Sequence, residues 1–117
     1  MHVKEFMTDS QKSLILLREG KNEVDRGELG GAIDVFNYAI SINPLLASLY
    51  VLRAHCHKSL DMWMEAYFDW SYAIRLEPDS GAHYCSRALI LSKLKRITLA
   101  LEDADLAIEV ASRKCEN

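Results

Sequence analysis

Between Gly27 and Pro44, in GELGGAIDVFNYAISINP, the apolar residues Leu29, Ile33, Phe36 and Ile40 follow i, i+4, i+7 and i+11. That spacing lines four side chains along one stripe of an α-helix and predicts a helix with one buried face. The pattern returns 34 residues later as Trp63, Tyr67, Trp70 and Ile74, and 34 later again as Ile97, Leu101, Ala104 and Ile108. Small residues keep the same register, Ala32 with Ala66 and Ala100, Ala39 with Ala73 and Ala107, and Pro44 is matched by Pro78. Self-similarity at one period predicts a supersecondary unit stacked on copies of itself, each burying its apolar face on a neighbour.

A further helix precedes each of these stripes. The first, QKSLILLREGKNEVDR, is expected to be capped by Asp9 or Ser10 and to run to the turn at Gly27. Leu14, Leu16 and Leu17 cannot share one face of it, so one of them looks away from the core. LASLYVLRAHCHKSL, residues 46 to about 60, predicts the third helix, and Asp61-Met62 turns the chain into the fourth. Proline disfavours helical geometry in the residue before it, so Asn43 and Glu77 end the second and fourth helices. Ser80 or Asp79 caps the fifth, AHYCSRALILSKL, and the sixth runs from about Thr98 to Arg113. Six helices with short connections predict an all-α fold of three antiparallel pairs. Residues 1–9, with Val3, Phe6 and Met7 as their apolar side chains, form an N-terminal extension expected to fray.

At 117 residues the chain has the length of one domain, and its 50% hydrophobic and 26% charged residues are those of a globular protein. Its 14 basic and 17 acidic residues leave a net charge of −3, without the positive excess of a nucleic-acid-binding domain. The longest apolar run, Leu14 to Leu17, falls far short of the roughly 20 residues that span a bilayer. The N-terminus has no basic region followed by an apolar stretch, so it does not read as a secretory signal. Cys56, Cys85 and Cys115 form no CxxC pair, and their odd number argues for reduced thiols. The expectation is a cytoplasmic protein with no membrane insertion and no nucleic-acid partner.

The triplet His55-Cys56-His57 invites a metal reading. Ligands sharing a helix face stand three or four residues apart, whereas neighbours one and two apart diverge, so packing explains the triplet better. Neither a glycine-rich phosphate loop, nor paired catalytic carboxylates, nor a Ser-His-Asp arrangement is readable. No enzymatic activity, cofactor or metal is expected.

Taken together, the residues resemble the tetratricopeptide repeat family over positions 13 to 112. The family's first helices carry a large residue and a small one four places on, here Leu16 with Gly20, Tyr50 with Ala54 and Tyr84 with Ala88. Its second helices alternate small, large and small, here Ala32, Phe36, Ala39, then Ala66, Trp70, Ala73, then Ala100, Ala104, Ala107. Small residues let paired helices approach closely, and the neighbouring large one fills the space beside them. Glu23, Ala104 and Ser112 depart from the pattern, standing where an apolar, a large and a proline residue are usual.

The resemblance implies a right-handed α-solenoid of three repeats, about 13–46, 47–80 and 81–114, within a domain over 10–117. It also implies a non-enzymatic scaffold or adaptor whose first helices line a concave groove for a partner peptide or segment. The family's groove positions fall on Leu14, Leu17, Lys21 and Val24, then Val51, Leu52, His55 and Lys58, then Ala82, Cys85, Ser86, Leu89 and Lys93. Leu17, Val51, Leu52 and Leu89 would give apolar contact, and Lys21, Lys58 and Lys93 would orient acidic groups. One subfamily holds acidic chaperone tails with a clamp of lysine, asparagine, asparagine, lysine and arginine. Leu17, Lys21, Leu52, Ala82 and Ser86 occupy those places, so a co-chaperone-type adaptor is disfavoured. The sixth helix, with Leu101, Ala104, Ile108 and Val110 left uncovered, supports the alternative of a structural module that self-associates through its C-terminal helix.

Overall fold

A computed structural model describes residues 6–115; residues 1–5 of the extension, Val3 among them, lie outside the described residues. Six helices follow one another: α1 (Asp9–Asp25), α2 (Leu29–Ile42), α3 (Ala47–Ser59), α4 (Trp63–Leu76), α5 (Gly81–Lys93) and α6 (Ile97–Cys115). Each odd helix packs on the even helix after it, and α2 on α3 and α4 on α5 join the pairs. The stack measures 54 × 36 × 21 Å, the elongated shape of units that touch only their neighbours.

Helix ends follow local chemistry. Asn43 and Glu77, each preceding a proline, adopt φ of −138° and −134° and terminate α2 and α4. Ser112 stands where the next proline would fall, and α6 runs through it to Cys115, giving 19 residues against the 14 of α2 and α4. The cap of α1 is neither Asp9 nor Ser10 but Thr8, whose hydroxyl accepts from the Gln11 N–H while the Gln11 side chain accepts from the Thr8 N–H. This reciprocal pair satisfies two backbone donors at once, which neither alternative does here. Ser80 caps α5 as expected.

The turn inside each unit is left-handed at one repeated place: Gly27, Asp61 and Lys95 have φ of 78°, 58° and 64°. Only the first is glycine, and an L side chain pays about 1–2 kcal/mol in that region. Lys95→Gly, at an exposed position, should raise stability by about 0.5–1 kcal/mol after the extra unfolded-state freedom of glycine is subtracted. Urea denaturation of the two proteins measures the difference.

The core forms in two blocks. Ala32, Phe36, Ala39, Leu49 and Cys56 surround the first seam, with Leu16, Leu17, Ile33 and Ile40 packed against them. Tyr50, Ala54, Ala66, Trp70, Ala73 and Ile90 form the second. The small residues are required: a Cβ on Gly20 would overlap the Phe36 ring, lying 2.6 Å from Cζ and 2.8 Å from Cδ1. Of the three leucines on α1, Leu14 is the one turned outward, 54% exposed.

One departure in the repeat pattern has a physical reason, and one expectation for α6 is corrected. Glu23 fits because Gly31 leaves room, a Cβ there falling 3.0 Å from the Glu23 carboxylate, and Arg26 pairs with that carboxylate at 2.6 Å. Val110, expected to be uncovered, is buried. It closes the end of α6 beside the start of α5, where a Cβ on Gly81 would sit 3.3 Å from the Ala107 carbonyl.

Candidate functional site

The residues expected to bind a partner recur in register on the three first helices. Leu17, Val51 and Cys85 form one row, Lys21, His55 and Leu89 a second, and Val24 and Lys58, with Ser92 in their register, a third, each spaced by 34, whereas Leu52 and Lys93 stand outside these rows. Because α1 also touches α3, these rows run on from the first of these helices to the second.

Their exposure differs. Lys21, His55, Cys85, Leu89 and Lys93 are exposed, while Leu17, Val24, Val51, Leu52 and Lys58 are half-buried. Leu17, Val24 and Leu52 pack on the block around Phe36, and Val51 on the block around Trp70. These four thus serve the core with part of their surface, and Leu89, 44% exposed, is the larger free apolar contact. The His55 ring stands edge-on to Trp70 at 5.2 Å. Partial desolvation of the ring holds its imidazole below the ordinary value, with Lys58 adding to the shift. Lys93 places its ammonium 5.8 Å from the centre of the Trp63 ring, a cation–π contact that ties α5 to α4.

His57 turns away from His55. It is buried, and its Nδ1 lies 2.7 Å from Asp69 Oδ2. Asp69 also accepts from Arg53 Nε and Nη2 at 3.0 and 2.6 Å. The same arrangement recurs one unit on, where Arg87 donates to both oxygens of Asp103 at 2.7 and 2.8 Å. The hydrogen bonds it donates to Asp103 hold the Arg87 guanidinium above its ordinary value. Tyr50 donates to the Pro44 carbonyl and Tyr84 to the Pro78 carbonyl. The sequence reading missed this polar frame, although Tyr50 and Tyr84, Arg53 and Arg87, and Asp69 and Asp103 all keep the 34-residue interval. Cys56 is buried, which pushes its thiol up, with Asp69 adding to the shift. Among the described residues no group of three His, Cys, Asp or Glu side chains is placed to hold a metal ion, and no helix is long and apolar enough to cross a membrane.

A row-bearing stack of helix pairs defines a helical-repeat protein, an α-solenoid. No protein-family model matches the chain. The protein named E3 ubiquitin-protein ligase CHIP from Arabidopsis thaliana is 29% identical over 103 residues, covering 87% of this chain and 36% of that protein. Tetratricopeptide repeat protein 36 of Danio rerio is 32% identical over 94 residues, covering 80% of this chain and 50% of that protein. This chain thus spans half the length of these relatives or less. The solved first TPR of Spaghetti (RPAP3), bound to the HSP90 peptide SRMEEVD, superposes with a TM-score of 0.82 at 25% identity, covering 90% of this chain and 83% of that one. The chain is a tetratricopeptide repeat protein of three repeats.

Proposed function

We propose that the chain is a non-enzymatic interaction scaffold that holds a partner segment, acidic and apolar in character, along the concave side of its first helices. The observation that carries this reading is the content of the three rows. They combine Lys21 and Lys58 with leucine and valine and hold no carboxylate, which favours acidic side chains over basic ones. A solved neighbour of the same fold holds an acidic peptide.

The anchoring differs from a terminal-carboxylate clamp. Charge-assisted bonds to a chain end need several donors converging on it. Of Leu17, Lys21, Leu52, Ala82 and Ser86, only Lys21 brings a charge. The segment is therefore held by its side chains, with Leu89 seating an apolar one and Lys58 and Lys93 facing acids. The three cysteines are free, in keeping with a reducing compartment such as the cytoplasm.

Leu89 and Lys93 are the positions to alter, since both are exposed and outside the buried core, although the variant gives up the Lys93 contact with the Trp63 ring. The variant carrying Leu89→Asp and Lys93→Glu should capture partner from cell extract at least roughly tenfold less well than wild type, combining a lost apolar contact with reversed charge. Its helical circular dichroism should not change. Undiminished capture would contradict the reading.

A further inference from the structure

The 34-residue repetition specifies what the open face of the last unit is shaped to receive. On α2, Ile33 and Ile40 pack into the block that contains Leu49 and Cys56 of α3. On α4, Tyr67, the counterpart of Ile33, packs on the block that contains Ile90 of α5, and Ile74, the counterpart of Ile40, is buried. The matching places on α6 are Leu101 and Ile108, left 62% and 68% exposed.

A polar contact marks each inner seam as well. Arg53 of α3 donates through Nη1 to Asn37 of α2 at 2.8 Å, and Arg87 of α5 donates through Nη1 to Ser71 of α4 at 3.2 Å. The third member of the series 37, 71, 105 is Asp105, exposed. Where the inner seams offer a neutral acceptor to an arriving arginine, the open end offers a carboxylate. Ala104 stands where Phe36 and Trp70 stand. Trp70 reaches the His83 ring of α5 at 5.6 Å, so the small Ala104 leaves room there for a larger side chain from the arriving helix.

We propose that this face of α6 docks an amphipathic helix of a partner protein with an apolar residue, an arginine four places on, and an apolar residue three further. Leu49-Arg53-Cys56 and, with a ring in first place, His83-Arg87-Ile90 are the chain's own versions of that pattern. The helix lies on α6 as α3 lies on α2, its arginine pairing with Asp105. A second copy of this chain fits less well. Stacked head to tail it brings Ile15, Glu19 and Asn22 to those places, setting Glu19 against Asp105. A two-fold pairing of Leu101 with Ile108 brings both Asp105 carboxylates to the axis. This surface is separate from the groove, and its occupancy is independent of the groove's.

The probe is a synthetic helix with the sequence of residues 46–60, which carries Arg53, titrated into the whole chain by fluorescence anisotropy under reducing conditions. Saturable binding is expected, weakened roughly tenfold by Asp105→Arg in the protein or by aspartate in place of the probe arginine, and regained when both changes are combined. A probe with the sequence of residues 9–25, which places Glu19 there, should bind no better than a scrambled one. Because free helices of this length are marginal in water, the same probes are also joined after Asn117 by a flexible linker. The unfolding midpoint should then rise with the arginine probe and not with the Asp105→Arg protein. Absence of binding together with absence of a midpoint shift, or effects indifferent to the charge exchange, would overturn the proposal. Self-association of the wild-type chain that Leu101→Lys abolishes would assign the face to a second copy and overturn it equally.

Discussion

Asp69→Ala should destabilise the protein by about 3–5 kcal/mol, the cost of breaking a buried ion pair by removing one partner. The carboxylate is 2% exposed and bonds Arg53 and His57 at once. Its removal strands a guanidinium whose side chain is 20% exposed and an imidazole at 10%, each with little access to solvent to replace the lost partner. The effect reaches beyond one helix, because Arg53 also spans the seam to Asn37. Stability in a repeat array is a sum of unit and neighbour-interface contributions. Loss in the middle unit therefore uncouples the outer two, whereas the equivalent Asp103→Ala loosens the end unit alone. Hydrogen exchange resolves the two cases: Asp69→Ala should speed exchange in α2 through α5, and Asp103→Ala in α5 and α6. Equal and small effects for both would show that the polar frame contributes little.

Phe36→Ala should cost about 3–5 kcal/mol, the range for emptying a large aromatic site in a core. Phe36 is fully buried, and its ring occupies the space left by the absent side chain of Gly20. The pair supplies an internal control. Gly20→Leu alone forces a side chain into the ring and should cost about 1–3 kcal/mol as overpacking. In the Phe36→Ala background the same leucine enters the vacated volume, so the double variant should be more stable than Phe36→Ala alone. Denaturant unfolding of the four proteins gives the coupling directly, and strictly additive losses would refute the packing described.

The period, the six helices and both blocks of the core were legible because apolar and small residues repeat together: Ala32 with Ala66, Phe36 with Trp70, Pro44 with Pro78. Helix ends were legible where proline sets them, and at α6, where no proline follows, the helix runs two residues beyond the expected Arg113 to Cys115. The Thr8 cap was hidden by two equally good capping residues beside it, and only the Gln11 partner three places on distinguishes it. The polar frame is not legible from apolar periodicity. Arginine and aspartate read as surface residues until the fold sets Arg53 against Asp69. Leu17, Val51 and Leu52 are groove positions only as the family resemblance implies, and the share of each side chain given to the core depends on how closely α2 and α4 approach, which spacing within one helix does not encode.

The central claim is that partners are held by the rows on the first helices. Photo-crosslinking with a reactive side chain installed at position 89 on α5, and separately at position 68 on α4, tests it most directly, since Leu89 and Phe68 are both exposed and lie on opposite helices of the stack. Adducts with captured partner are expected from position 89 and none from position 68. Adducts from position 68 with none from position 89 would move the binding surface to the second helices and contradict it.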